Sequence, residues 1–127
     1  MAAKSKQTKT RKINSGRVYV NASFNNTVVT VTDDKGQALA WGSSGRAGFK
    51  GTRKSTPYAA TTAAEQALKR AREEYGINEV GVYVKGPGPG RDAALRAIRS
   101  AGLQMELIAD VTPIPFNGPK AKKKRRV

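Results

Sequence analysis

The stretch Lys85-Gly86-Pro87-Gly88-Pro89-Gly90-Arg91 lies between the apolar run VGVYV and the helix-like run DAALRAIRSAG, where a nucleotide-binding protein keeps its phosphate loop. Glycines after a strand and before a helix let backbone approach phosphate, and Asp110 stands twenty residues beyond Gly90, as a ribose-binding acid would. Three features oppose a dinucleotide. The spacing is G-x-G-x-G, Pro87 and Pro89 have no N–H, and Asp92 places negative charge where pyrophosphate would sit. The Walker pattern also fails, because no Lys followed by Ser or Thr comes after the last glycine. Lys85 and Arg91 flank a stiff turn at a helix N-terminus, and such a turn still grips one or two phosphates of a polymer. Lys85, Gly86, Gly88, Gly90 and Arg91 are therefore candidate RNA contacts, with a nucleotide-binding enzyme using the same loop as the alternative.

A second constellation is GSSGRAGFKGTRKSTP, in which Gly42, Gly45, Gly48 and Gly51 space Arg46, Lys50, Arg53 and Lys54 around Phe49. Glycines that admit phosphate, cations that neutralise it and hydroxyls such as that of Thr56 suit an RNA backbone. Phe49 has two readings, stacking on a base or anchoring the loop in the core. A third is Asn117-Gly118, a turn by composition; Gly118 also leaves its amide nitrogen free to attack the Asn117 side chain, so isoaspartate formation is a chemical expectation there.

Other chemistry is poorly supplied. Cysteine and histidine are both absent, which removes thiolate nucleophiles, Cys-ligated metals, the usual general base near neutral pH and the commonest metal ligand. Asp33 and Asp34 fall at a turn, and Glu65, Glu73 and Glu74 fall on the outer face of a helix, so no pattern gathers carboxylates for catalysis. Neither enzyme nor cofactor is expected. No apolar run approaches bilayer length and MAAKSKQTKTRK lacks the hydrophobic segment of a secretory signal, so a soluble protein is expected.

The net charge of +15 is concentrated. Residues 1–16 hold Lys4, Lys6, Lys9, Arg11 and Lys12 with no acid, and residues 120–127 hold Lys120, Lys122, Lys123, Lys124, Arg125 and Arg126. With the four cations of residues 46–54 these blocks equal the whole excess, leaving a formally neutral remainder. Like charges packed so closely repel unless a polyanion replaces their counterions, which points to nucleic acid. An anionic membrane surface is the rival, but no apolar amphipathic face accompanies the basic runs. A nuclear-import signal would explain KKKRR alone.

The elements that must position these groups follow from periodicity. RVYVNASF alternates as a strand with Val18, Val20, Ala22 and Phe24 on one face; Asn25-Asn26 turns into TVVTVTD; Asp34-Lys35-Gly36 turns into QALAWGSS. These three make an antiparallel meander. Thr56 caps a helix with Pro57 at its first position, and Ala60, Ala63, Ala64, Ala67, Leu68, Ala71 and Tyr75 share its inner face up to Gly76. Outside, Glu65 with Lys69, Lys69 with Glu73 and Arg70 with Glu74 stand four apart. EVGVYVK is a fourth strand, residues 92–101 a second helix with Leu95 and Ile98 inward, and residues 105–111 a fifth strand, joined by a right-handed parallel crossover. The expectation is one α/β domain: a mixed five-stranded sheet with two helices, a body over residues 17–112, a basic extension over 1–16 and an extended basic arm over 113–127.

NASFNNT, RKSTPYAA, VKGPGPGRDAALRAI and DVTPIPFNG, in this order and ahead of a KKKRRV end, closely resemble the family of bacterial small-subunit ribosomal protein eleven, over roughly residues 17–127. The resemblance implies a ribonuclease-H-like fold without that enzyme's chemistry, and binding to small-subunit ribosomal RNA in the platform of the cytoplasmic ribosome, supporting assembly. It also implies ribosomal proteins six, seven and eighteen of the platform and head as neighbours, with messenger RNA and the Shine–Dalgarno cleft nearby, and neither membrane contact nor homo-oligomer. Matched residue by residue, RNA contacts fall on Asn25 and Asn26, on the loop from Arg46 to Thr56, on Lys85 to Arg91, and on Asn117 with the basic tail. This chain has Phe116 where the family usually has His, and Pro119-Lys120-Ala121 where it has Cys-Arg-Pro.

Overall fold

The computed structural model describes residues 13–119 and Lys122. Strand β1 (Ser15–Ala22) pairs antiparallel with β2 (Thr27–Thr32), which pairs antiparallel with β3 (Ala38–Ser43). A short 3-10 turn (Gly51–Ser55) leads into α1 (Pro57–Tyr75), followed by β4 (Glu79–Lys85), α2 (Gly90–Ser100) and β5 (Gln104–Asp110). The sheet order is β3-β2-β1-β4-β5, with β1, β4 and β5 parallel. The expected meander plus crossover is present, in an order compatible with a ribonuclease-H-like sheet.

Strand alternation decides which face is covered. Val18, Val20, Val29, Val31, Val80, Val82 and Val84 are fully buried on one face, where the alanine stripe of α1 and Ala94, Ala97 and Ile98 of α2 complete the core. Leu95 only packs at its margin. On the opposite face Tyr19 and Tyr83, partners in register, stack with centroids 5.2 Å apart, and the Arg17 guanidinium donates to the Tyr19 hydroxyl.

The ends of α1 follow local chemistry. The Thr56 hydroxyl accepts from the Ala59 N–H at 3.2 Å, and Gly76 closes the helix at φ 70°, a left-handed conformation that suits a residue without a Cβ. On its outer side Arg70 donates to the Trp41 carbonyl at 3.3 Å and Arg72 to the Ala101 carbonyl. These arginines tie α1 to β3 and to the end of α2.

Two features differ from the alternation pattern. Pairing stops at Ala22, because the Ser23 N–H donates to the Asn26 carbonyl and closes a turn, leaving Phe24 at its tip, 71% exposed rather than inside. Gly42 is a packing residue rather than part of the loop: a Cβ there would lie 2.7 Å from the Ala63 carbonyl oxygen and 3.4 Å from the Ala67 Cβ. The absent side chain lets α1 sit close on β3. Gly42→Ala should therefore lower stability by about 1–3 kcal/mol through overpacking, read as a fall in thermal midpoint; an unmoved midpoint would mean that α1 shifts outward freely.

Candidate nucleic-acid interface

Because β1, β3, β4 and β5 all run the same way, their C-terminal ends lie at one end of the sheet, together with the start of β2. The Asn25-Asn26 turn, the basic loop, the Gly-Pro loop and the segment after Asp110 all leave from that end. Hydrogen bonds join them. The Ser44 N–H donates to the Thr27 carbonyl at 3.0 Å, the Gly88 N–H to the Ala22 carbonyl at 2.8 Å, and the Gly86 N–H to the Thr112 hydroxyl at 3.0 Å. Asn25, Gly51, Lys54 and Ser55 line a shallow groove between the first two segments.

The glycines of the Gly-Pro loop face inward. Gly86, Gly88 and Gly90 are buried, and a Cβ on them would collide with the Ala22 carbonyl, the Ser23 carbonyl and the Thr27 hydroxyl respectively. What the loop presents outward is Lys85, Pro87 and Pro89. With the Gly86 and Gly88 N–H groups bonded inside and no N–H on the prolines, a pyrophosphate cradle lacks donors. Arg91 is half-buried; it donates to the Gly86 carbonyl at 3.0 Å and forms an ion pair with Asp110 at 3.1 Å. The acid a ribose would need is thus already engaged.

The Thr112 hydroxyl, 2.6 Å from Asp110, its N–H, 3.0 Å away, and the Arg91 guanidinium hold the Asp110 carboxyl down to about 2. A carboxylate depressed on folding stabilises the native state above its unfolded pKa, and the contribution disappears as pH falls through the folded value. The clasp between β5, Thr112 and the Gly-Pro loop should therefore hold at neutral pH and loosen only as pH approaches 2. Carboxyl NMR of Asp110 should titrate near 2; a midpoint at the ordinary 3.8 would mean the clasp does not form.

In the basic loop, Phe49 packs edge-to-face on Tyr58 with centroids 5.7 Å apart and is partly buried, which makes it an anchor of the loop on the first turn of α1. Arg46 lies 4.3 Å over the Trp41 ring and donates to the Trp41 carbonyl, while remaining exposed. Lys50 and Arg53 are exposed, and Lys54 is partly so. Thr56 is occupied as the cap of α1, and its hydroxyl also donates to the Arg53 carbonyl at 2.9 Å. Asn26 accepts the Thr27 N–H at 2.8 Å, holding the turn from which Asn25 projects. Asn117 is exposed at φ 60°, and Lys122 is exposed. Lys4, Lys6, Lys9, Arg11, Lys12, Lys120, Lys123, Lys124, Arg125 and Arg126 lie outside the described residues.

Sequence reasoning passed over the exposed rings Phe24 and Tyr58, each 71% accessible, and Trp41. Spacing held the signal for Tyr58, which stands off the alanine stripe at the first turn of α1. Phe24 is recognisable only once the turn is known to start at Ser23. Among the described residues no three acids cluster as a metal site. Asp33, buried, accepts the Lys35 and Gln37 N–H groups at 2.9 Å each, so its carboxylate shapes a turn.

Cations, amides and exposed rings gather at one end of a formally neutral α/β body, an arrangement suited to a polyanion. The chain belongs to the ribosomal protein S11 family, whose model matches residues 16–126. It is similar to the small ribosomal subunit protein uS11 of Borreliella burgdorferi (strain ZS7), 56% identical over 127 residues, covering 100% of this chain and 97% of the relative. It is also similar to the protein of the same name from Nitratidesulfovibrio vulgaris (strain DSM 19637 / Miyazaki F), 56% identical over 112 residues, covering 88% and 86%.

Proposed function

We propose that this protein is a structural constituent of the small ribosomal subunit that binds ribosomal RNA through the strand-C-terminal end of its sheet. The observation that carries the reading is the convergence there of four segments rich in cations, amides and exposed rings, each hydrogen-bonded to another. Phosphates meet Lys85, Lys50, Arg53 and Lys54; Asn25 and the Gly-Pro turn fix register; the basic tails neutralise backbone charge. Family membership supports the same assignment, together with a cytoplasmic ribosomal location. The platform, with proteins six, seven and eighteen as neighbours and the messenger-RNA exit close by, is part of the proposal on the strength of the family resemblance.

The exposed rings supply the test. Base stacking contributes about 1–3 kcal/mol per ring. Phe24→Ala and Tyr58→Ala should each weaken binding to small-subunit RNA by roughly 5- to 150-fold in a filter-binding assay, with the thermal midpoint held within a degree or two for Phe24→Ala. Unchanged affinity in both would move the RNA surface away from this end of the sheet.

A further inference from the structure

One edge of the sheet is unlike the RNA-facing end. β5 is outermost, and Leu107 and Ile108, in register with Gly81 and Val82, project to opposite faces and are 49% and 51% exposed. The helices pack chiefly on β1, β2 and β3 and leave these two β5 side chains half-exposed, and Val111 continues the apolar exposure. The Val111 N–H is bonded inward to the Val84 carbonyl, so by the alternation of a strand the N–H groups of Ile108 and Asp110 face outward. Among the described residues no strand pairs with this outer ladder, and half-exposed apolar side chains lie above and below it.

The charge at this edge is negative. β5 carries Glu106 and Asp110 and no cation, and Glu106, at the bulge opposite Val80 and Gly81, stands beside the Glu79 carboxylate of β4, whose like charge pushes the Glu106 carboxyl up. Asp34 adds to the same field, while the Asp110 charge is matched by Arg91. A phosphate backbone is repelled from two adjacent carboxylates and has no use for an unpaired peptide ladder. An extended protein segment satisfies the ladder, covers Leu107 and Ile108, and pairs with Glu79 and Glu106 if it carries Lys or Arg.

We propose that the β5 edge is a protein-docking site, at which a basic extended segment of a neighbouring ribosomal protein adds a sixth strand. The absence of cysteine makes the site addressable. Leu107→Cys, labelled with a maleimide-benzophenone and assembled into small subunits, should crosslink on irradiation to a Lys- or Arg-containing peptide of another protein. Wild-type subunits should show the Ile108 and Asp110 amides exchanging at least about 100-fold more slowly than in the free chain. Adding Glu106→Lys should lower the adduct yield at least tenfold while the protein still sediments with the subunit. Crosslinking to RNA or to this chain's own N-terminal peptide, or exchange at the free-chain rate, would overturn the proposal. Sedimentation of the labelled variant reports assembly separately from docking.

Discussion

Gly88→Ala is expected to be strongly destabilising although it adds a single methyl group. No positive φ excludes alanine there; the obstacle is space, since the new Cβ would collide with the Ser23 carbonyl and lie 2.7 Å from the Ala22 carbonyl carbon. Both obstacles are backbone at the end of β1, where Gly88 itself donates to Ala22, so neither can rotate away. Relief requires the whole Gly-Pro loop to lift. Overpacking of this kind costs about 1–3 kcal/mol, and in a domain of this size that lowers the thermal midpoint by roughly 5–15 °C. Because the loop would leave the Asn25-Asn26 turn, RNA affinity should fall with stability. Gly36→Ala is the control: it carries φ 89° but meets nothing within 4 Å, so its cost is limited to local strain and RNA binding should not change. A wild-type midpoint for Gly88→Ala would mean that the loop is not seated on β1.

Gly90 sharpens the same point, because two effects of opposite sign meet there. Alanine in place of glycine at the start of α2 gains up to about 1 kcal/mol of helix propensity. Against this, its Cβ would collide with the Thr27 hydroxyl and lie 2.8 Å from the Ala60 Cβ, between β2 and α1. Thr27 is buried and cannot swing out. The collision should win, though by less than at Gly88, because part of the obstacle is a side chain.

These glycines also show what the sequence could and could not convey. Alternation of valines marks β1, β2 and β4, and the Thr56-Pro57 start, the alanine stripe and Gly76 mark α1, because each is a local consequence of burial or backbone freedom. The expected cation clusters are legible for the same reason, as runs of like charge. A buried spacing glycine and a phosphate-cradling glycine look identical in KGPGPGR; only the tertiary approach of Ala22, Ser23 and Thr27 separates them. Arg91 is another case, a free cation by sequence but paired in the fold with Asp110, nineteen residues away. Spacing predicts ion pairs along α1, yet Arg70 turns to the Trp41 carbonyl of β3, a partner no local rule supplies. The acidic edge at Glu79 and Glu106 likewise arises from the parallel pairing of β4 with β5.

Deleting residues 120–127 separates electrostatic binding from folding. The segment contributes six of the chain's 24 cations, and the described body packs its core without it. Each phosphate pairing removed should lower the slope of log K against log salt by about 0.7 to 0.9, so the full arm corresponds to a decrease of roughly 4 to 5. Affinity for small-subunit RNA should fall most at low salt and converge with that of the intact chain at high salt, while the thermal midpoint of the free protein stays put. Replacing Arg46, Lys50, Arg53 and Lys54 together by Gln should reduce the slope less, because there are four charges and Arg46 is held over the Trp41 ring. The order of the two slope changes is therefore the measurement of interest. If the arm deletion leaves the slope untouched, its charges meet no phosphate, and the basic loop must carry the electrostatic attraction; if both changes matter in the expected order, the arm supplies most of the attraction and the loop, pinned to the body by Phe49 and Trp41, fixes where the RNA lies.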